Sequence, residues 1–570
     1  MPGGTMGHVT PGGLRRDVPA GRAAGGAEPG VAAWCAGVLA TALLLLLPLA
    51  VVDLPPLLDY PNHLARMLVL ARGAEDPVLS RFWLPSWGIL PNLATDLVLP
   101  PLARLMPIAV AGKLVLGALL LLLLAGMVAF HRAAFGVRSW WPLAGALVAY
   151  NALFLAGFMN FVAGLGLALL VAALWVKMRE TRPALAVAGT ALGMAALFFC
   201  HLLAVVFAAL LVAMQEVVAL AATRRQGAPL LPAILRRAGG LALVLLPPAA
   251  LYLSAPISGA EGPTCWLPAS HKAVALLTPV LNYHGALDVL AAGAVLGLLA
   301  LGRWRGRGRV DPASLLAILL LLALTAVAPF MAKGGSHLDS RFPVMIGLLL
   351  FAGFDPRLPR RLARIAALAV AGLLVLRMGV VGQVWSGHAA DLAQLRASIA
   401  AIDPGSRVLV ASAEREATPA YWARSPRSRV ITRFSTAFNH LGALVVLERR
   451  AFIPLLFAEP SQQPIRLRPP YDRLAVPVGL PPDYRLLARE SWTAAELAKA
   501  PYLPGWEQGF DHVLVLLADA APGLPGFLPD RLQPVNATGM AALFRVRPEA
   551  GASVGPIALP PPSAAGCDLG

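Results

Sequence analysis

The sequence predicts a polytopic α-helical membrane protein of about eleven transmembrane helices, with a C-terminal α/β domain outside the membrane. Three observations predict it. Of 570 residues, 58% are hydrophobic and 14% charged, and the mean hydropathy is +0.69. Long apolar stretches recur between residues 31 and 384, with arginines clustered at every second junction. Beyond 384 the apolar runs shorten to strand length.

The predicted spans are about 31–52, 109–130, 141–157, 161–177, 184–200, 201–222, 238–254, 285–302, 313–331, 343–354 and 365–384. Most reach the roughly 17–25 residues that a helix needs to cross hydrocarbon. Arg15, Arg16 and Arg22 precede the first span, and residues 1–30 are Gly/Pro-rich, which predicts a disordered cytoplasmic N-terminus. With that end inside, the inner loops carry Arg132, Arg138, Lys177, Arg179, Arg182, Arg224, Arg225, Arg236, Arg237, Arg303, Arg305, Arg307, Arg309, Arg357, Arg360, Arg361 and Arg364. The short outer loops hold only Lys272, Lys333 and Arg341. This is a positive-inside bias, and it predicts a multi-pass protein of a bacterial inner membrane. An odd number of spans then puts residues 385–570 in the periplasm.

The net charge of +17 predicts contact with anionic membrane lipid, not nucleic acid, because the basic residues sit at span junctions without a basic, aromatic-interleaved face. Four cysteines at 35, 200, 265 and 567 form no metal spacing, and Cys265 and Cys567 are the two expected in an oxidising compartment, paired or free. In 385–570 the runs Arg407-Val408-Leu409-Val410, His512-Val513-Leu514-Val515-Leu516-Leu517 and Ala541-Ala542-Leu543-Phe544-Arg545-Val546 read as strands. Amphipathic stretches near 388–402 and 438–450 read as helices. No phosphate-binding glycine loop and no G-x-S-x-G follows the strands, so this region carries no chemistry by motif.

Candidate chemistry lies in the first outer loop, 53–108. It opens Asp53-Leu54-Pro55-Pro56-Leu57-Leu58-Asp59-Tyr60-Pro61-Asn62-His63-Leu64-Ala65-Arg66. Pro61 suits a first helical turn, which puts Asp59 or Tyr60 at or before the cap. Asn62, Arg66 and Leu70 then share one side, with His63 and Met67 beside them. A carboxylate held there, with an imidazole and a guanidinium close by, can deprotonate a hydroxyl or amine, or help hold a divalent cation. The bland alternative is that Asp59 only caps the helix.

The segment Asp59-Tyr60-Pro61-Asn62-His63-Leu64-Ala65-Arg66 resembles the Asp-Glu-x-x-x-Tyr-x-x-x-Ala-Arg stretch of the GT-C class of membrane glycosyltransferases. That class includes the protein O-mannosyltransferases and lipid A aminoarabinose transferases. Asp339-Ser340-Arg341-Phe342-Pro343, at the start of a late span, is similar to their Arg-Tyr-x-x-Pro segment. Tyr60 stands where many members carry a second acidic residue. The resemblance covers the topology of 31–384 and two short motifs. It implies a catalytic Asp59, a polyprenyl-phosphate-linked sugar donor, and a glycan, lipid or protein acceptor. A divalent metal is the one cofactor it admits.

A phosphate leaving group gathers negative charge and needs cations at the membrane surface. Lys333-Gly334-Gly335-Ser336-His337-Leu338-Asp339-Ser340-Arg341 supplies Lys333, His337 and Arg341 within nine residues on the predicted outer side. With Asp59 as base, these three hold the donor, and His63 and Arg66 assist. His201, at a tight outer turn, is expected to line the same cavity or to be structural. Trp83 and Trp87 suit an interfacial belt or a sugar floor, and Arg377 suits snorkelling. Two other readings remain at this stage: a transporter or flippase, which needs charges deep in the spans, and a non-catalytic scaffold, for which Asp59 would not matter.

Overall fold

The computed structural model describes residues 28–259, 262–432 and 435–547; most of the Gly/Pro-rich start and Cys567 lie outside these residues. Cys265 is disulfide-bonded, whereas Cys35 and Cys200 are free thiols.

Among the described residues, eight helices are long and apolar enough to cross a membrane. They are Val31–Ala50 (α1), Ile108–Phe135, Met159–Met178, Pro183–Cys200, Leu202–Arg225, Leu230–Ser254, Gly285–Trp304 and Arg360–Ile399. Each overlaps one of the eleven predicted spans. The other three predicted spans form shorter elements. The segment expected at 141–157 is a 3-10 helix, Trp141–Val148, followed by a short helix Ala152–Leu155. The break has a local cause: Asn151 turns extended and its side chain accepts from Leu153 N and Phe154 N, starting a new helix. The segments expected at 313–331 and 343–354 are Pro312–Val327 and Leu338–Ala352. The last long helix runs unbroken through residue 384 to Ile399 and so extends into the C-terminal region.

Burial along these helices matches a lipid solvent. In α1, Leu39, Leu43 and Leu47 recur every four residues on an exposed face, whereas Leu45 and Leu49 are buried. A stripe of that kind costs little in hydrocarbon and much in water. Helices Ile108–Phe135 and Met159–Met178 cross at glycines. A Cβ on Gly126 would lie 2.6 Å from Gly166 O, and one on Gly166 would lie 2.7 Å from Leu122 O. Small residues at such a crossing let the two backbones meet. Arg377 is 3% exposed and does not snorkel. It pairs with Asp288 at 2.5 Å and donates to Val280 O at 2.8 Å, because both partners lie inside the bundle beside it.

The long loop after α1, residues 51–107, contains two helices, Tyr60–Arg72 (α2) and Ala94–Leu105 (α3). In chain order the long helix Ile108–Phe135 is α4. The C-terminal region forms a four-stranded sheet in the order 408–412, 512–516, 541–546, 532–538. Val408–Ser412 and His512–Leu516 are parallel, and the remaining pairs are antiparallel. Three of these strands coincide with the predicted ones. The fourth, Leu532–Thr538, contains Pro534, which an edge strand tolerates and a sequence pattern reads as a break.

The loop after α1 and the C-terminal region are joined. Trp83–Pro85 pairs antiparallel with Ile465–Leu467. Trp83 is fully buried and stacks on Phe452 at 5.8 Å, so it serves this joint and not an interfacial belt. Trp87, four residues on, is 52% exposed.

Candidate active site

Asp59 stands at the N-cap of α2, yet its side chain makes no capping hydrogen bond. Its position is set by the backbone. Leu58 N donates to Leu155 O and Asp59 N to Ala156 O, both at 3.1 Å, tying the loop to the chain just before the helix Met159–Met178. The Asp59 side chain is 16% exposed. Burial pushes its carboxyl up from 3.8 to about 7, against the opposing pull of the Arg341 and Arg66 guanidinium groups. A carboxyl tuned to that range can take a proton near neutral pH, which a solvated aspartate does poorly.

Arg341 comes from the first turn of Leu338–Ala352. Its guanidinium lies over Phe158 at 4.7 Å and Phe161 at 5.2 Å. Nη2 donates to Ser336 O at 3.1 Å, and Nη1 meets His201 Nε2. Nε is buried without a protein partner. Two aromatic faces and two polar neighbours thus hold the plane and leave one donor unused. His337, at the start of the same helix, shares Phe158 with Arg341, 5.8 Å between rings, and leans on Phe330 at 4.7 Å. Burial, with Arg341 nearby, takes the His337 ring down to about 4, so at neutral pH it is a hydrogen-bonding group and not a charge.

The other predicted residues are placed differently. Arg66 is committed to Asp96 of α3, Nε to Oδ1 at 2.7 Å and Nη2 to Oδ2 at 2.9 Å, with both side chains at or below 2% exposure. It fastens α2 to α3 and reaches Asp59 through its field. Lys333 is exposed, with φ +48, and its Nζ donates to Ser258 O at 3.1 Å. No contact joins it to Asp59 or Arg341 among the described residues. Asp339 accepts from Lys272 Nζ at 2.7 Å. His63 faces the C-terminal domain, edge-on to Phe457 at 5.3 Å, and burial holds it well below its ordinary value.

Tyr60 explains the departure at that position. Its side chain is fully buried against α4, where a Cβ on Gly112 would fall within contact of the hydroxyl. A second carboxylate there would point into the bundle, away from Asp59. The residues do not fit a divalent cation. Asp59 lies in the field of two guanidinium groups, and no group of three acidic, His or Cys side chains gathers to hold a metal among the described residues.

His440, from the C-terminal domain, carries no sequence signal and yet reaches this site. Its Nε2 lies 3.5 Å from Asp59 Oδ1, and its Nδ1 lies 3.2 Å from Asn62 Nδ2. The approach comes from docking of two segments almost four hundred residues apart, which no local pattern encodes.

No family profile and no curated protein matches this chain. Two solved structures are similar to it. One is arabinofuranosyltransferase AftD from Mycobacteria, at 15% identity and a TM-score of 0.45, over 92% of this chain. The chain spans 40% of the length of that protein. The other is ArnT from Cupriavidus metallidurans bound to undecaprenyl phosphate, at 13% identity and a TM-score of 0.47, over 90% of this chain and 98% of that one.

Proposed function

We propose that this protein is a membrane glycosyltransferase that moves a sugar from a polyprenyl-phosphate donor to an acceptor on the periplasmic face of a bacterial inner membrane. Asp59 removes the proton from the acceptor hydroxyl or amine as that atom attacks the anomeric carbon. The bond to the donor phosphate breaks, and Arg341 holds the charge that collects on the phosphate oxygens. His337 donates a hydrogen bond beside it. Arg66 and His63 shape the wall behind Asp59, and Lys333 contributes long-range attraction. The N-terminus lies in the cytoplasm and the C-terminal domain in the periplasm, following the arginine pattern.

The observation that carries this reading is Asp59 itself. It is a mostly buried carboxyl at a helix N-cap that caps nothing, with its proton affinity raised to about 7 beside a guanidinium that has a free donor. A scaffold has no use for that arrangement. Resemblance of the 59–66 and 339–343 segments to the GT-C class supplies the substrate class.

The test is transfer from a synthetic polyprenyl-phosphate sugar by the purified protein in nanodiscs, beside mass spectrometry of lipid-linked sugars in cells lacking it. Asp59→Asn keeps the size and loses the base, so it should be inactive while folding normally. A variant turning over like the parent would remove Asp59 from the chemistry. A periplasm-active reporter fused after residue 390 should be active and one fused near Arg305 silent.

A further inference from the structure

We infer that His440, delivered by the C-terminal domain, is a positioning residue for the Asp59 carboxylate, so that the site is complete only with that domain docked. The inference rests on the reading of Asp59 as the base.

Asn62 decides the state of the His440 ring. Its amide oxygen accepts from Phe457 N at 2.7 Å, and its nitrogen donates to Leu455 O at 2.7 Å. A backbone N–H cannot accept and a carbonyl cannot donate, so these two contacts fix which end of the amide is which. The second hydrogen on Asn62 Nδ2 is then available to His440 Nδ1, 3.2 Å away. Nδ1 must accept, and the proton of the neutral ring sits on Nε2. That nitrogen faces Asp59 Oδ1 at 3.5 Å. Burial keeps the ring neutral by taking it down to about 4, with Phe457 edge-on at 4.9 Å.

His440 therefore offers Asp59 an N–H dipole and not a cation. One carboxylate oxygen is oriented, and the other is left for the acceptor proton. A donor facing the ionised form stabilises it. His440 works in the same direction as the charged groups whose fields act on Asp59, Arg341 from Leu338–Ala352 and Arg66 from α2. His63, the second imidazole nearby and the one on α2, is held neutral. All the parts that set this geometry, Asn62 excepted, belong to residues 440–457.

The experiment reads Asp59 directly in the full-length protein in nanodiscs. An apolar carbodiimide adds across its C=N bond to a protonated buried carboxyl, and the adduct rearranges to a stable N-acylurea with no group lost. Labelling of the Asp59 peptide, followed by mass spectrometry against pH, gives a midpoint. His440→Ala should raise it by roughly one unit. His440→Asn should do the same, because its amide reaches only the Nδ1 position. His440→Gln places an N–H near Nε2 and should stay close to the parent. If the alanine variant does not fold, the asparagine and glutamine pair carries the comparison. An unchanged or lowered midpoint in the asparagine variant, or a glutamine variant that behaves like it, overturns the inference. In the transfer assay, the alanine and asparagine variants should lose about tenfold in kcat with the donor KM unmoved, and glutamine should restore it. A raised midpoint in a protein that transfers no sugar overturns the glycosyltransferase reading alone. Normal transfer with an unmoved midpoint overturns the role of His440 alone.

Discussion

Gly157 lies so close to Asp59 that a Cβ there would sit 2.9 Å from the Asp59 backbone nitrogen and 3.1 Å from its Cβ. Gly157 also has φ +87, a conformation that side-chain-bearing residues adopt only with strain. Two independent reasons thus demand glycine at the turn that presses the candidate site segment into place. Gly157→Ala should lower thermal stability, with the left-handed backbone alone costing about 1–2 kcal/mol, and should reduce transfer by moving Asp59. Unfolding and transfer of the variant in nanodiscs check this; parental values for both would show that the turn adapts freely.

The raised proton affinity of Asp59 gives a pH signature. As the base it must be ionised, so transfer should climb as pH rises through about 7 and fade below it. Stability should run the other way. The folded protein keeps the Asp59 proton to higher pH than the unfolded chain, whose value is near 3.8. Its stabilising contribution is full below 3.8 and is lost as pH rises through about 7. Asp59→Asn should remove that slope. Thermal unfolding of parent and variant should therefore agree best at the acidic end and diverge as pH rises through about 7, where the parent loses stability and the variant does not; parallel curves would contradict the shift.

The fold was legible in sequence because bilayer length and the clustering of arginines at span junctions are strong constraints. Its breaks were less so: the division at Asn151 depends on a side chain finding two backbone amides, which apolar periodicity does not register. In the candidate site, Asp59 and Arg341 each announced themselves by a short motif beside a span. Their neighbours did not. Arg66 shares a helix with Asp59, but its partner Asp96 lies thirty residues on, in a helix that folds back on α2. Lys333 shares a nine-residue stretch with Arg341, and a left-handed backbone turns it outward to Ser258. His440 is a lone histidine without a motif, brought in by domain docking. Proximity in sequence therefore overstated two companions of Asp59 and hid a third.

The buried Arg66–Asp96 pair leads to a prediction about stability. Removing one partner strands the other charge in an apolar setting, which typically costs about 3–5 kcal/mol. Asp96→Asn should thus destabilise the loop helices, and Arg66→Met with Asp96→Leu should recover much of the loss. Transfer by the double variant should return in part, since the role of Arg66 at Asp59 is through its field. Denaturation midpoints of the singles and the double decide it. Simple additivity of the losses would mean the two residues are not coupled.

Arg341 and Lys333 should separate cleanly. The Arg341 guanidinium lies over Phe158 and Phe161, bonds Ser336 O and His201, and keeps a buried Nε without a protein partner. Lysine retains the charge but not the plane, the stacking or the paired donors. Arg341→Lys should therefore lose about 2–4 kcal/mol of transition-state stabilisation, or roughly 30- to 1,000-fold in rate. Lys333→Ala removes an exposed charge bonded to Ser258 O and should change rate only slightly, more at low salt than at high salt. Transfer rate against donor concentration, for each single variant and the pair, distinguishes them. A near-parental Arg341→Lys variant would place the donor phosphate elsewhere, and a severe Lys333→Ala defect would bring the exposed loop into the site.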